Sequence, residues 1–369
     1  MSKEQSNLLL LGIGGGGGRL AAAVRAQYTG EMRMLCMDTD ALSNRDLQQG
    51  RDIPCILFGA SLLSGNGTGG DPVKGREAFR GNEKKLLESH LSGVRTVVIL
   101  TCLGGGTGGG ATPDVIGILK ERGIAVLCIA THPFSFEGQN RQEVANRMRS
   151  QIAAQKDSLV DVRLDDLFTE TGQDSVTSAS KEANRLLANG VTLLWRMLSR
   201  PGFICADPER LHDLVMHGND ARFGSESASG DNRAARLMEL LKANRLLHGN
   251  EALRKSRALL VGILGGDDLR LTEIGGIMKT LRGGCHADCR IELVVFAFDG
   301  VARNSGGQDE PPALDIDSIK PRAAKRRRQQ TGTDMPAGKR FLNVEPTVGE
   351  NGENLDVPTF SRRDIRLDR

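Results

Sequence analysis

The chain has 369 residues, 39% hydrophobic, 26% charged and 4% aromatic, with a formal net charge of +3. That length supports two packed domains with sizeable cores. The near-neutral charge argues against a whole-chain polyanion binder, and the scarcity of aromatics argues against a stacking platform for single-stranded nucleic acid.

Residues 8–13, 32–37, 55–58, 96–103 and 125–129 are short runs, mostly apolar on both faces. Such runs suit strands of a sheet covered on both sides. Helical patterns at 19–28, 111–122 and 141–156 alternate with them. The expected fold class is therefore α/β, a doubly wound parallel sheet that forms a nucleotide-binding domain. A long amphipathic helix is expected at 178–200, stopped by Pro201-Gly202. A smaller α/β unit follows, with helices at 236–247 and 271–281 and strands at 258–264 and 290–298.

After Ala302 the sequence is polar and rich in proline and charge, without hydrophobic periodicity. It reads as a disordered linker. The basic run Lys325 to Arg328 lies in it and reads as a solvated segment or as a contact for anionic lipid or nucleic acid. A short apolar island, Leu355 to Phe360, reads either as a peptide that docks on a partner or as a plain disordered end. The organisation expected is 1–177, a nucleotide domain; 178–200, a connecting helix; 201–302, the smaller α/β domain; 303–351, the linker; and 352–369, the tail peptide.

Seven cysteines lack a disulfide-like spacing, and Cys36, Cys102 and Cys128 fall in apolar runs. They read as buried free thiols in a reducing cytoplasm. The polar start, MSKEQSN, carries no signal-peptide pattern, and no apolar run is long enough to span a bilayer. Cys285-His286-x-x-Cys289 has only half of a structural zinc set, so no metal is expected there.

Two glycine runs carry the chemistry. Gly12-Ile13-Gly14-Gly15-Gly16-Gly17-Gly18 lies between a strand and a helix and satisfies G-x-G-x-x-G. Backbone amides in such a loop form a concave positive site for phosphate. Asp38 ends the next strand about twenty residues on, as in dinucleotide-binding folds. Taken alone, this run points to a Rossmann-type oxidoreductase. The second run, Gly104-Gly105-Gly106-Thr107-Gly108-Gly109-Gly110, follows another strand of the same sheet. Its helix is expected to begin at Ala111, with Pro113 in the first turn. A dinucleotide fold does not need this second loop. There is also no G-x-x-x-x-G-K-[ST] for a P-loop. Two lysine-free glycine loops suggest phosphates held mainly by backbone amides. A purely structural use of so many glycines is not expected, because each weakens the fold entropically.

With the second run the sequence resembles the tubulin/FtsZ family. GGGTGGG at 104–110 is similar to its signature, and GIGGGGG at 12–18 is similar to the FtsZ form of the first loop. Asp38-Thr39-Asp40-Ala41, Gly65 to Pro72, Pro133 to Gly138 with Arg141, Arg200-Pro201-Gly202, Gly224 to Ala234 and Gly265 to Leu271 agree in order. Asp356 to Phe360 with Arg362-Arg363 resembles the family's tail peptide.

The resemblance implies GTP or GDP as ligand, with Mg2+ beside it. It implies head-to-tail self-assembly, in which the next monomer completes the catalytic site. It also implies recruitment by membrane-tethered division proteins through the tail, and a place in the cytoplasm at the division site. Gly14, Gly15, Gly16, Gly17, Gly18 and Arg19, with Gly105, Gly106, Thr107 and Gly108, are the implied nucleotide loops. Glu137 and Arg141 are implied for the sugar and phosphate region, and Asp207 is implied as the water-activating carboxylate offered to the neighbour.

Several positions depart from the family pattern. Arg19, Asp38 and Asp71 stand where Asn is usual. Arg185 occupies the guanine-reading Asp position and Ser180 the stacking Phe position. In the synergy loop Cys205 replaces Asn and Arg210 replaces the second Asp, with Glu209 as a possible substitute. The expectation is slow hydrolysis. The alternative is a homologue that assembles with little or none.

Overall fold

The first apolar run forms β1, Leu8–Ile13, with all six residues buried. The computed structural model describes residues 7–28, 30–80, 82–155, 158–167, 176–199, 220–247, 250–266 and 268–298. Asp207, Glu209, the linker at 303–351 and the tail at 352–369 lie outside the described residues. After β1 come α1 (Gly14–Gln27), β2 (Met34–Asp38), α2 (Ala41–Arg51), β3 (Cys55–Leu57), α3 (Ala60–Leu63), α4 (Pro72–Ala78) and α5 (Asn82–Ser89). The chain continues with β4 (Thr96–Cys102), α6 (Gly106–Glu121), β5 (Ala125–His132), a 3₁₀ turn (Ser135–Glu137), α7 (Gln139–Ala153), β6 (Ser158–Arg163) and α8 (Val176–Ser199).

These strands and the short β7 (Asp220–Ala221) make one parallel sheet, ordered β3-β2-β1-β4-β5-β6-β7. Side chains alternate across it with period two. Leu9, Leu11 and Ile13 enter one core with Val97, Ile99, Val115 and Leu119. Leu8 and Leu10 enter the other with Val98, Leu100, Val24, Val191 and Trp195. Both faces are covered, which is why the strands read as nearly continuous apolar runs.

The long helix α8 forms as its periodicity demands. Leu187, Ala188, Val191 and Trp195 recur at helical spacing and pack into the same core as α1. No described helix is long and apolar enough to cross a membrane.

Two helix starts differ from expectation. The first helix begins at Gly14 rather than Arg19, and the second at Gly106 rather than Ala111. The glycines are therefore the first turns of the helices. Glycine's low helix propensity hides this in the sequence. Pro113 consequently lies inside α6, where it offers no N–H to the Gly109 carbonyl. Strand β6 carries Asp161 and Arg163 within it, which masked it as an apolar run.

A smaller substructure comprises α9 (Arg233–Ala243), α10 (Asn250–Lys255), β8 (Ala258–Gly266), α11 (Leu271–Gly284) and β9 (Arg290–Phe298). Strands β8 and β9 pair in parallel, and Met238, Ile263, Ile277 and Leu281 form the core beside them. A turn at 285–289 joins α11 directly to β9.

Arg233 ties α9 to α11. It donates to both carboxylate oxygens of Glu273 at 2.7 and 2.9 Å and to Asp268 Oδ2 at 2.9 Å. The Arg233 bond, helped by the Arg270 amide, holds the Glu273 carboxyl down to about 2. A depressed carboxyl contributes stability that is full above its ordinary value of 4.5 and is lost as pH falls through about 2. Both side chains keep a fifth to a quarter of their surface exposed. With solvent screening, Arg233→Ala is expected to cost about 1–2 kcal/mol at pH 7. The gap to the parent should narrow toward pH 3 in urea unfolding. An equal gap at both pH values would assign the effect to packing of the arginine stem instead.

Candidate functional site: two helix N-termini at the sheet switch point

Strand order reverses between β1 and β4, where α/β sheets bind ligands at the strands' C-terminal ends. The register pairs Ile13 with Thr101, so α1 and α6 start side by side at that edge. Neither N-cap, Ile13 or Gly105, has a side-chain hydrogen bond, and neither first turn contains an acidic residue. The first-turn amides and the positive ends of two helix dipoles are thus left for an anion.

The glycines divide into two classes. A Cβ on Gly17 would collide with the Leu100 carbonyl oxygen, so α1 lies directly on β4. A Cβ on Gly108 would lie 2.8 Å from Thr101 Oγ1, and one on Gly106 2.7 Å from the Asp71 amide. Gly14 has φ +72, and its Cβ would lie 2.7 Å from the Gly108 amide. Gly16 and Gly18 are closed off by Cys102 and by Leu47. Close packing of the two helices against strand and loop therefore requires most of the glycines, so these runs have a structural use whatever they bind. Two site glycines differ. Gly15 has no atom nearer than Asp38 Oδ2 at 3.5 Å, and Gly105 has nothing within 4 Å.

Side chains at the ends of β2 and β5 border this edge. Asp38 accepts from the Thr39 amide at 2.7 Å, and burial pushes its carboxyl up from the ordinary range. Thr39 Oγ1 and Thr107 Oγ1 are 2.7 Å apart, so the Thr107 hydroxyl already has a protein partner. Asp40 caps α2 by accepting from the Leu42 amide at 2.8 Å, and Asp71 caps α4 from Val73 at 2.8 Å. Glu137 accepts from the Phe134 amide at 2.8 Å and pairs with Arg141 at 2.9 Å. Arg19 is exposed. Arg19 Nη1 would lie 3.6 Å from a Cβ on Gly15, and Arg141, paired with Glu137, lies against Gly104. The structure thus brings Arg19, Glu137 and Arg141 to the same edge as the two glycine turns.

Arg185 is placed differently. It stands on α8, where its guanidinium donates to Glu182 at 2.7 and 2.5 Å. Its carbonyl accepts from Gln27, in the last turn of α1. Ser180 is half-buried on the same helix.

Sequence reasoning missed the support beneath the 133–138 loop. Buried His132 ends β5 and lies 2.8 Å from Asp161 on β6, whose other oxygen accepts from Arg149 of α7 at 3.0 Å. Burial alone would raise the Asp161 carboxyl, but His132 and Arg149 hold it below its usual value. Gln142 Nε2 donates to the carbonyls of Pro133 and Phe134 at 2.8 and 3.0 Å. The signal, an Asp between Val160 and Val162, has meaning only once β6 lies beside β5.

Residues 7–170 match the family model described as the tubulin/FtsZ family, GTPase domain. The chain is 30% identical to the cell division protein FtsZ of Pseudomonas aeruginosa, over 96% of this chain and 95% of that protein. The chain belongs to the tubulin/FtsZ family. The FtsZ of Azotobacter vinelandii is 32% identical, with 98% and 97% of the two chains covered. Among solved structures of this fold, an empty FtsZ dimer from M. jannaschii superposes with a TM-score of 0.74 at 23% identity, covering 81% of this chain and 86% of that one. CetZ2 of Haloferax volcanii, solved as a GTPγS-bound protofilament, gives 0.63 at 19% identity, covering 79% and 89%. The paired glycine-first helices are thus the switch-point edge of a tubulin/FtsZ fold.

Proposed function

We propose that this chain binds GTP at the paired N-termini of α1 and α6, assembles head to tail, and serves as a cytoskeletal filament in bacterial cell division. The observation that carries the reading is two uncapped helix starts lying side by side, with half-buried Gly15 and Gly105 where an added Cβ would clash with nothing. The unfilled amides suit phosphate oxygens, and no first-turn carboxylate opposes them. Arg19 and Arg141 add positive charge at the rim, and Glu137 is held in place to orient Arg141. Among the described residues no three His, Cys, Asp or Glu side chains converge. Mg2+ would accordingly be bound through phosphate oxygens with few protein ligands, and it would neutralise phosphate charge. By resemblance the base would be read at the position of Arg185, whose guanidinium is engaged by Glu182.

In this reading the catalytic site lies between monomers, and a head-to-tail contact does not close on itself. Asp207 of one monomer orients water at the neighbour's nucleotide. Arg210 stands where the family has its second carboxylate. Hydrolysis is therefore slow, and this departure favours the second reading, an assembling homologue that barely hydrolyses. Light scattering and phosphate release after GTP addition separate the two. Scattering without phosphate supports the second, and neither signal would defeat both. Asp207→Ala is expected to cut phosphate release at least about fivefold while leaving GTP affinity intact, because the residue serves another monomer's site. Normal turnover in that variant would remove Asp207 from the mechanism.

The tail would act as a docking peptide for a membrane-tethered division partner, placing the cytoplasmic filament at the inner face of the membrane. Leu355, Val357 and Phe360 supply its apolar anchors, and Pro358 lowers the ordering cost. Truncation before Leu355 is expected to spare GTP binding and assembly and to abolish septal localisation. A truncated sole copy that still reaches the septum would reject the docking role.

A further inference from the structure

Gly12, Cys36 and Cys55 occupy one row across three adjacent parallel strands. The registers pair Gly12 with Cys36 and Cys36 with Cys55. Row neighbours in a parallel sheet point to the same face. Strands lie about 4.8 Å apart, within the Cα separation that a disulfide spans. Both thiols are free. Cys36 is buried, whereas Cys55 is half-buried on β3, the last strand at one end of the described sheet. Cys36 Sγ lies against Gly12. A Cβ at Gly12 would lie 2.9 Å from that sulfur and 2.9 Å from the Gly17 carbonyl oxygen. Cys36 is therefore part of the bed on which the first glycine turn rests.

We propose that Cys36 and Cys55 form a redox-sensitive dithiol whose oxidation to an intrachain disulfide loosens the first glycine turn and weakens nucleotide binding there. The binding half rests on the GTP reading above; disulfide formation and loosening of the turn do not. The neighbouring Cys36 shifts the Cys55 thiol below the ordinary range, while Cys55 and burial push Cys36 above it. Cys55 also donates to the Ile53 carbonyl at 3.3 Å in its neutral form. Cys55 is thus the accessible nucleophile and Cys36 the resolving thiol. With a low-molecular-weight disulfide as oxidant, the Cys55 thiolate attacks one sulfur and expels a small thiolate. Cys36 loses its proton to solvent or to that thiolate and attacks Cys55 Sγ, releasing the second small thiol. Two protein thiols and one small disulfide become one protein disulfide and two small thiols. A disulfide closes the two sulfurs to about 2.05 Å, which draws Cys36 Sγ toward β3 and away from Gly12.

Cys285 and Cys289 are also neighbours, but they flank the turn before β9 and touch no glycine of the nucleotide edge.

The test treats the full chain with glutathione disulfide and compares it with Cys55→Ser and Cys55→Ala. Non-reducing peptide mass spectrometry, hydrogen exchange of the 12–20 segment without nucleotide, and GTP calorimetry are read together. The expected result is a Cys36–Cys55 linked peptide, faster exchange and about tenfold weaker GTP binding. All three should reverse with dithiothreitol and be absent in both variants. Two thiols that stay alkylatable, or a link only between Cys285 and Cys289, would overturn the proposal. So would a Cys36–Cys55 link that leaves exchange and affinity unchanged. Reduced protein that fails to bind GTP would defeat the GTP reading and the binding half with it. The linked peptide and the exchange rates would then still decide the dithiol and its effect on the turn.

Discussion

Gly17→Ala is expected to destabilise the protein by about 3–5 kcal/mol, enough to deplete the folded state at ordinary temperatures. The added methyl group meets the backbone oxygen of Leu100, which no rotamer change can clear. Helix α1 must lift off β4, and with it the buried contacts of Leu20, Ala21 and Val24 loosen. Interiors are packed too densely to absorb this by small shifts. Gly117→Ala is the matched control. It also lies inside a helix, α6, but its Cβ would meet nothing within 4 Å. That change should stabilise by about 0.4–1 kcal/mol through reduced freedom of the unfolded chain. Trp195, the chain's single tryptophan, is buried in the core that α1 covers and reports both unfolding transitions by fluorescence. A Gly17→Ala midpoint equal to the parent would mean that the helix does not sit on the strand as described.

Gly105→Ser should have the opposite profile, weakening GTP binding about 10–100-fold while leaving stability unchanged or a few tenths of a kcal/mol higher. Gly105 is the N-cap of α6 with φ −98 and ψ 166, an extended conformation open to any residue. No protein atom lies within 4 Å of the added Cβ. The serine hydroxyl would accept from the amide of Thr107 or Gly108, as N-cap serines do. Those amides are the ones the proposed site offers to phosphate, so serine both occupies space at the mouth and withdraws a donor. Charge-assisted bonds of this kind contribute about 1.5–3 kcal/mol each. Calorimetry with GTP on the folded variant decides the matter. Unchanged affinity would place the phosphates elsewhere.

Much of this was legible from one sequence. The ends of β1 and β9 fall where the apolar runs fall, at Leu8–Ile13 and Arg290–Phe298; for β1, buried on both faces, the hydrophobic boundary is sharp. Helix α8 was equally visible, since its buried stripe, Ala183, Leu187, Ala188, Val191 and Trp195, repeats at helical spacing. The helix starts at Gly14 and Gly106 were not visible, because tertiary packing there overrides propensity. Strand β6 was obscured by Asp161, a residue whose presence in a sheet makes sense only with His132 and Arg149 around it.

The sequence by itself determined the alternation of strands and helices, the two glycine runs at strand ends, and the family they resemble. Each depends on local composition or on residues adjacent along the chain. Only the tertiary structure decided which glycines are packing contacts and which face open space. Gly105 and Gly106 are neighbours and chemically identical, yet one meets nothing and the other meets Thr68 and Asp71. It also decided that β1 and β4 are neighbours, and that Gly12, Cys36 and Cys55 share a row. These are long-range facts, set by sheet order and register. Both follow from how the two apolar faces are buried together, so no local window of sequence contains them.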